Sequence, residues 1–291
     1  MSAAATALGL PWVERVLGQR VDPVTKARAA EAVVARALGP EPGAYVCLTN
    51  VHTTVESQRS AELRAAVDSA FLSVPDGMPL TWILRRRGYV ETEKVTGIEF
   101  IPVVASTGLD RGLRHFFYGA APGVAVRAGL RLEDLVPGVN VVGAASPPFA
   151  EAQGGWPVEE LEHELRRTRP HVLWIGLGAP KQELLMAELA ERVDVPVMVG
   201  VGAAFDYLAG TKAAAPTALR HIGWEWLFRL AVEPRRLARR YIVGNAIFLW
   251  LLIRDAVRRR QPPMRDRHER TTRVEAPDRS STRPRSDPVG S

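Results

Sequence analysis

One carboxylate stands apart in this chain. In "SVPDGMPLTW" (73–82), Asp76 follows the apolar run "AFLSV", with Pro75 before it and Gly77 after it. A tight turn uses Asp-Gly for backbone reasons, because both residues tolerate the conformations a reversal needs. An acid–base centre uses the same aspartate for its proton affinity, provided a reacting hydroxyl comes within hydrogen-bond reach. The turn is the more ordinary reading of this stretch alone.

Three glycine-bearing stretches offer chemistry of another kind. "GAAPGVA" (119–125) ends an apolar run and opens a helical pattern, so Gly119 and Gly123 can bring backbone N–H groups up to a phosphate at a helix N-terminus. A tight turn with no ligand explains it equally well. "GLGAPKQE" (176–183) is more specific. Gly176 and Gly178 allow close backbone approach, and Pro180 suits a first helical turn. Lys181 and Gln182 then sit at a helix N-terminus, facing the cleft. A lysine there opposes the helix dipole, which points to an anionic ligand, against the bland reading of a solvated side chain. "GVGAAFDYLAG" (200–210) carries Asp206, either an acceptor for sugar or ribose hydroxyls or a helix N-cap. None of the three matches the G-x-G-x-x-G dinucleotide fingerprint. Further on, "EPRRLARRY" (233–241) sets Arg235, Arg236, Arg239 and Arg240 on one stripe of a helix, with Arg229 nearby. Guanidinium forks suit pyrophosphate oxygens; a solvated basic face is the common alternative.

Other chemistries find no support. The single cysteine, Cys47, has no partner for a disulfide, which fits a reducing cytoplasm. The six histidines show no H-E-x-x-H spacing, and no D-x-D pair is present, so neither a metal nor another cofactor is expected. The net charge of +6 invites a nucleic-acid reading, but residues 258–291 hold ten Arg against five Asp or Glu. The rest of the chain, with 28 basic and 27 acidic residues, is nearly neutral. That tail is rich in Arg, Pro and Ser and is expected to be disordered. The N-terminus lacks a basic n-region and a proper apolar core, so it does not read as a signal peptide. No stretch supplies the roughly 20 apolar residues a bilayer span needs. "IVGNAIFLWLLI" (242–253) comes nearest.

The elements that must position these residues follow from hydrophobic periodicity. Short apolar runs at 44–50, 71–74, 114–120, 140–146, 171–178 and 195–205 alternate with helical patterns at 26–38, 54–70, 97–112, 123–135, 157–169 and 181–193. Continuous apolar strands alternating with helices predict an α/β fold, a parallel sheet covered on both faces. Ligands then sit beyond the C-terminal strand ends, where Thr49, Asn50, Asp76, Gly119, Gly123, Gly178, Gln182 and Asp206 all fall. The predicted organisation is a core over 1–222, a basic and apolar helical appendage over 223–257, and the tail from 258. An amphipathic basic helix of this kind reads as interfacial, with a buried oligomer contact as the competitor.

Taken together, "LTNVHT", "VPDGMPLTW", "KVTGIEF", "FFYGAAPGVA", "SPPF", "HVLWIGLGAPKQE", "GVGAAFDYLAG" and "GWEWLFRLAVEPRRLARRY" resemble the bacterial WecG/TagA/CpsF glycosyltransferase family, in order from about 45 to 241. The resemblance implies a Rossmann-like core whose C-terminal helical appendage completes the site at the inner face of the cell membrane. It implies inverting, metal-independent transfer of a hexose or N-acetylhexosamine from a UDP-sugar to a polyprenyl-diphosphate-linked sugar. Asp76 takes the place of the proposed base. Asn50 and Gln182 line the site, with Thr49, Gly119, Gly123, Gly178, Lys181 and Asp206 as further donor contacts. Lys94, Arg229, Arg235, Arg236, Arg239 and Arg240 are expected to meet donor or acceptor phosphates. The family's R-x-T-G-x-D pattern appears here as Lys94, Thr96, Gly97 and Glu99, and Lys cannot reproduce a bidentate Arg contact. Two other readings compete: a nucleotide-cofactor oxidoreductase on a similar sheet, and a non-catalytic scaffold that recruits polysaccharide enzymes.

Overall fold

The computed structural model of the chain describes residues 13–147, 158–216, 219, 225–238 and 242–260. An antiparallel hairpin, β1 (Glu14–Val16) and β2 (Gln19–Val21), precedes the main sheet. That sheet comprises β3 (Ala44–Thr49), β4 (Leu72–Pro75), β5 (Arg114–Gly119), β6 (Asn140–Ala145), β7 (Val172–Gly176) and β8 (Val197–Gly200). All six strands are parallel, in the order β4-β3-β8-β7-β5-β6. The chain lays down β3 and β4 outward, crosses to lay down β5 and β6 in the opposite direction, and returns with β7 and β8 to fill the gap. Every C-terminal strand end therefore lies along one edge, with connections diverging to either side.

The helices are α1 (Lys26–Ala37), α2 (Val51–Glu56), α3 (Ala61–Ser69), α4 (Met78–Arg86), α5 (Gly97–Thr107), α6 (Val124–Leu135), α7 (Val158–Thr168), α8 (Lys181–Leu189), α9 (Ala204–Leu208), α10 (Glu225–Val232), α11 (Pro234–Ala238) and α12 (Gly244–Arg260). Strand periodicity sorts the core into two layers. Val46, Leu48, Phe117, Trp174 and Val199 face α1, α5, α6 and α9. Their neighbours Tyr45, Cys47, Phe116, Tyr118, Leu173, Ile175 and Met198 face α3, α7 and α8. Burial on both faces is why these strands read as unbroken apolar runs. A third cluster joins Val16 and Val21 of the hairpin, Val55 of α2, Leu80 and Leu84 of α4, and Phe248 of α12. The C-terminal helix thus packs beside α2, directly behind the end of β3.

Four features differ from the sequence expectation. The helix expected over 54–70 is two helices, because Ser60 starts a new one: its Oγ accepts from Leu63 N at 3.0 Å. The hairpin went unforeseen, as did α4, which opens on Gly77-Met78-Pro79 with proline in the first turn, where its missing N–H costs nothing. Helix α12 continues through Arg260, beyond the expected start of the tail; residues 261–291 lie outside the described residues. Among the described residues no helix is long and apolar enough to cross a membrane.

Candidate active site

Asp76 is the first residue beyond β4. Its N–H donates to Thr49 O at 2.7 Å and extends the β3–β4 ladder by one rung. Gly77 follows at φ +126, a conformation that L side chains rarely adopt, and the chain turns into α4. The aspartate is half-buried. At the end of β3, Asn50 does two things with one amide. Its Oδ1 accepts Thr53 N at 3.1 Å and caps α2, while its Nδ2 donates to Asp76 Oδ2 at 3.2 Å. The cap fixes which end of the amide faces the carboxylate. His52, in the first turn of α2, stands at the same edge.

Behind this pair the polar groups are buried and engaged. Thr49 and Ser73 are fully buried, and their hydroxyls lie 2.8 Å apart. Ser73 Oγ donates to Arg20 O at 2.9 Å, and Ser73 N donates to Asp22 Oδ2 at 2.8 Å. Asp22 in turn pairs with Arg20 Nε at 2.9 Å. Burial pushes the Asp22 carboxyl upward, against the opposing pull of Arg20 and the bond from Ser73 N. The hairpin thereby covers the outer edge of β4, and the strand that carries Asp76 presents no open edge. Thr49 contributes its carbonyl to Asp76, and its hydroxyl faces Ser73.

Lys94 reaches the same edge through the backbone. Val95 N donates to Pro75 O at 2.9 Å, so the half-buried Lys94 and the start of α5 run alongside Asp76. Gly97 seats this segment: a Cβ there would fall 2.8 Å from Ala204 Cβ and 2.9 Å from Val201 O. Only glycine allows α5 to start against the end of β8. Glu99, four residues before Val103 on the same helix, pairs with Lys26 of α1.

Gln182 is buried, and both ends of its amide are engaged. Its Oε1 accepts Gly202 N at 2.9 Å and Gly178 N at 3.2 Å, and its Nε2 donates to the fully buried Glu183 at 3.0 Å. One side chain therefore clamps the loop after β7 to the loop after β8. Lys181, beside it, is exposed at the start of α8. Gly119 brings β5 against β7, because a Cβ there would lie 2.8 Å from the Gly176 carbonyl, and Gly123 precedes α6 in a left-handed conformation. Gly178, at φ +78, has open space around it. Ser146 Oγ donates to Gly119 O at 3.0 Å and ties the β6 end to the same loop. Asp206 is not an N-cap. It lies inside α9, where Ala203 precedes the helix, and its Oδ2 is 3.4 Å from Lys212 Nζ. Of the appendage arginines, Arg229 lies on α10, Arg236 on α11, and Arg235 on α11 is exposed. Arg239 and Arg240 lie outside the described residues.

The comparisons with known proteins meet this geometry directly. The Glycosyl transferase WecG/TagA/CpsF family matches residues 14–262. The chain belongs to the WecG/TagA/CpsF family. It is a glycosyltransferase. A curated relative from Bacillus spizizenii (strain ATCC 23059 / NRRL B-14472 / W23) is N-acetylglucosaminyldiphosphoundecaprenol N-acetyl-beta-D-mannosaminyltransferase. It is 25% identical over 202 residues, which cover 69% of this chain and 76% of the relative. The WecG/TagA/CpsF match takes in both the hairpin that backs β4 and the helix α12 that backs α2, so the family unit is larger than the sheet alone.

For a WecG/TagA/CpsF enzyme the arrangement offers a carboxylate oriented by an amide, a rim of glycine-bearing loops, and arginines on a following helical segment. Among the described residues no three His, Cys, Asp or Glu side chains gather as a metal site requires. Sequence reasoning missed Ser73, Asp22, Glu183 and Lys212. Glu183 carries a signal in retrospect: a carboxylate within the otherwise apolar-facing "QELLM" needs a buried donor, and Gln182 supplies one.

Proposed function

We propose that this glycosyltransferase moves a sugar from a UDP-sugar to a polyprenyl-diphosphate-linked sugar in the assembly of a cell-surface polysaccharide, with inversion and without a metal. The observation that carries the reading is the Asn50–Asp76 pair at the C-terminal edge of a parallel sheet. The curated relative's name, which includes a diphosphoundecaprenol-linked sugar, supports the acceptor class. In the step itself the acceptor hydroxyl attacks the anomeric carbon from the face opposite the nucleotide. A new C–O bond forms as the bond from the anomeric carbon to the diphosphate breaks. Asp76 receives the hydroxyl proton as general base. The charge that develops on the departing diphosphate is met by Lys94, by the backbone N–H groups of the glycine loops and by the arginines of α10 and α11. Asn50 and Gln182 hold this machinery in register.

The appendage would place the site at the membrane. Helix α12 buries Phe248 and Leu251 but exposes Leu249, Trp250, Ile253 and Val257 at 52–59%. Arg254 lies 4.7 Å over the Trp250 ring. An apolar ridge with a cation stacked on its aromatic suits a helix lying in the headgroup region.

A panel of UDP-sugars offered with a short-chain polyprenyl-diphosphoryl sugar tests the activity. Asp76→Asn should bind UDP within about twofold of wild type yet lose transfer by roughly 10²–10⁴-fold, the usual contribution of a positioned base. Undiminished transfer in the folded variant would remove the base assignment. Thermal protection by NAD(P) in place of UDP would favour the oxidoreductase reading.

A further inference from the structure

We propose that Lys212 is a positioning residue that couples the Asp206 end of the core to the arginine-bearing appendage; the role in transfer rests on the function proposed above. Its ammonium lies 3.4 Å from Asp206 Oδ2 and 3.3 Å from Glu233 Oε1. The three side chains are only 22–28% exposed, so solvent screens them less than the helix-surface pairs such as Arg166–Glu162, where the arginine is 65% exposed.

The two ends of this bridge belong to separate motifs. Asp206 lies in α9, just past the loop that Gln182 clamps. Glu233 is the joint between α10 and α11, immediately before Pro234, Arg235 and Arg236. Lys212 itself is fixed by the core. Gly210, at φ +69, reverses the chain after α9. Thr211 N and Lys212 N then both donate to Asp206 O, at 2.9 and 3.1 Å. Thr211 Oγ1 adds a bond to the same carbonyl at 2.9 Å. The lysine backbone is thus held by local bonds that converge on the Asp206 carbonyl and needs no help from the appendage. It acts as a strut with one carboxylate at its base and one at its tip. A single ammonium between two carboxylates also keeps like charges from facing each other, so its loss disturbs both partners: Asp206 and Glu233 each lose their ion pair with it.

Hydrogen exchange of the full chain, read over 225–238, tests the coupling without requiring turnover. UDP binding by calorimetry reads the Asp206 end. In Lys212→Met, exchange over 225–238 should rise about fivefold, the effect of losing one partly screened ion pair, and UDP affinity should fall about as much. In Glu233→Gln, exchange should rise similarly while UDP affinity falls less than in Lys212→Met, because the Asp206 pair is kept. The double variant should exchange no faster than Lys212→Met, since both changes break one contact. Lys212→Arg should restore both readouts. Unchanged exchange in Lys212→Met, or additive effects in the double variant, overturns the coupling. Equal UDP affinity in wild type and Lys212→Met overturns the Asp206 arm. A chain that transferred sugar from no UDP-sugar would defeat the proposed function and leave the exchange result standing.

Discussion

Replacing Gln182 by Leu removes three hydrogen bonds at nearly constant volume. Two are N–H donations to Oε1, from Gly178 and Gly202, and the third runs from Nε2 to the Glu183 carboxylate. A neutral bond contributes about 1 kcal/mol net, and a bond to a charged group about 1.5–3 kcal/mol. The glycine N–H groups lie at half-buried loop positions that water can reach, whereas Glu183 is fully buried. The charged bond therefore dominates, and the sum is roughly 3–5 kcal/mol of a total stability of order 5–15 kcal/mol. Urea unfolding followed by circular dichroism should show a lower midpoint at an unchanged slope. Gln182→Glu makes a sharper test. It keeps an acceptor for both N–H groups but sets a second carboxylate against Glu183 in a buried place, so one of the pair must hold a proton. The folded variant then binds more protons than the unfolded chain above the ordinary carboxylate range, and its stability must fall as pH rises from there. A Leu variant that loses less than about 1 kcal/mol, or a Glu variant with the wild-type pH profile, would refute the clamp.

His115 titrates in the opposite sense. Complete burial pulls its imidazole down to about 4 from the ordinary histidine value of 6.5, with His171 adding repulsion. The unfolded chain takes the proton first, so this contribution is complete above pH 6.5 and is lost as pH falls towards 4, amounting to about 3 kcal/mol. His115→Asn keeps an acceptor for Trp174 Nε1, which lies 3.2 Å from His115 Nδ1, and should flatten that part of the acid limb; an identical limb would contradict it. Asn50→Asp retains an equally good helix cap but sets a second carboxylate against Asp76, so folding should hold while transfer falls by about 10²-fold or more. Equal losses of stability and transfer would mean that Asn50 serves only the cap. On α12, Trp250→Ser combined with Ile253→Ser should leave unfolding unchanged and weaken flotation with anionic vesicles by about tenfold or more. Flotation equal to wild type would take the ridge out of membrane docking.

The sheet was legible because its physics is local in sequence. A strand buried on both faces must be apolar throughout, and β3, β4, β7 and β8 are wholly buried. Once they are recognised as parallel, the C-terminal edge follows, and Asn50 and Asp76 fall on it together. The hairpin escaped notice because two three-residue strands carry too little periodicity to register. Helix α4 was hidden by the Asp-Gly-Met-Pro opening, which reads as a turn because Gly77 does turn the chain before the helix starts. The break between α2 and α3 turns on one hydroxyl, Ser60, inside a pattern whose hydrophobic spacing continues across it.

Roles were harder to read than positions, for a physical reason that Asn50, Gln182 and Lys212 share. Each joins segments far apart in the chain: Asn50 links the starts of α2 and α4, Gln182 links the loops after β7 and β8, and Lys212 links α9 to the joint between α10 and α11. The type of a polar residue at a strand end shows that it can make two or three hydrogen bonds, but not which partners the fold brings to it. Gln182 makes the point most clearly. Its place beside Lys181 at a helix N-terminus suggests a side chain offered to a ligand, yet its oxygen already accepts from two backbone N–H groups and its nitrogen is held by Glu183. What it offers the proposed site is the spacing of two loops. Asp76 is the converse case: an ordinary turn residue by its neighbours, it becomes the candidate base because the β3–β4 ladder runs one rung past the strand and Asn50 is waiting there.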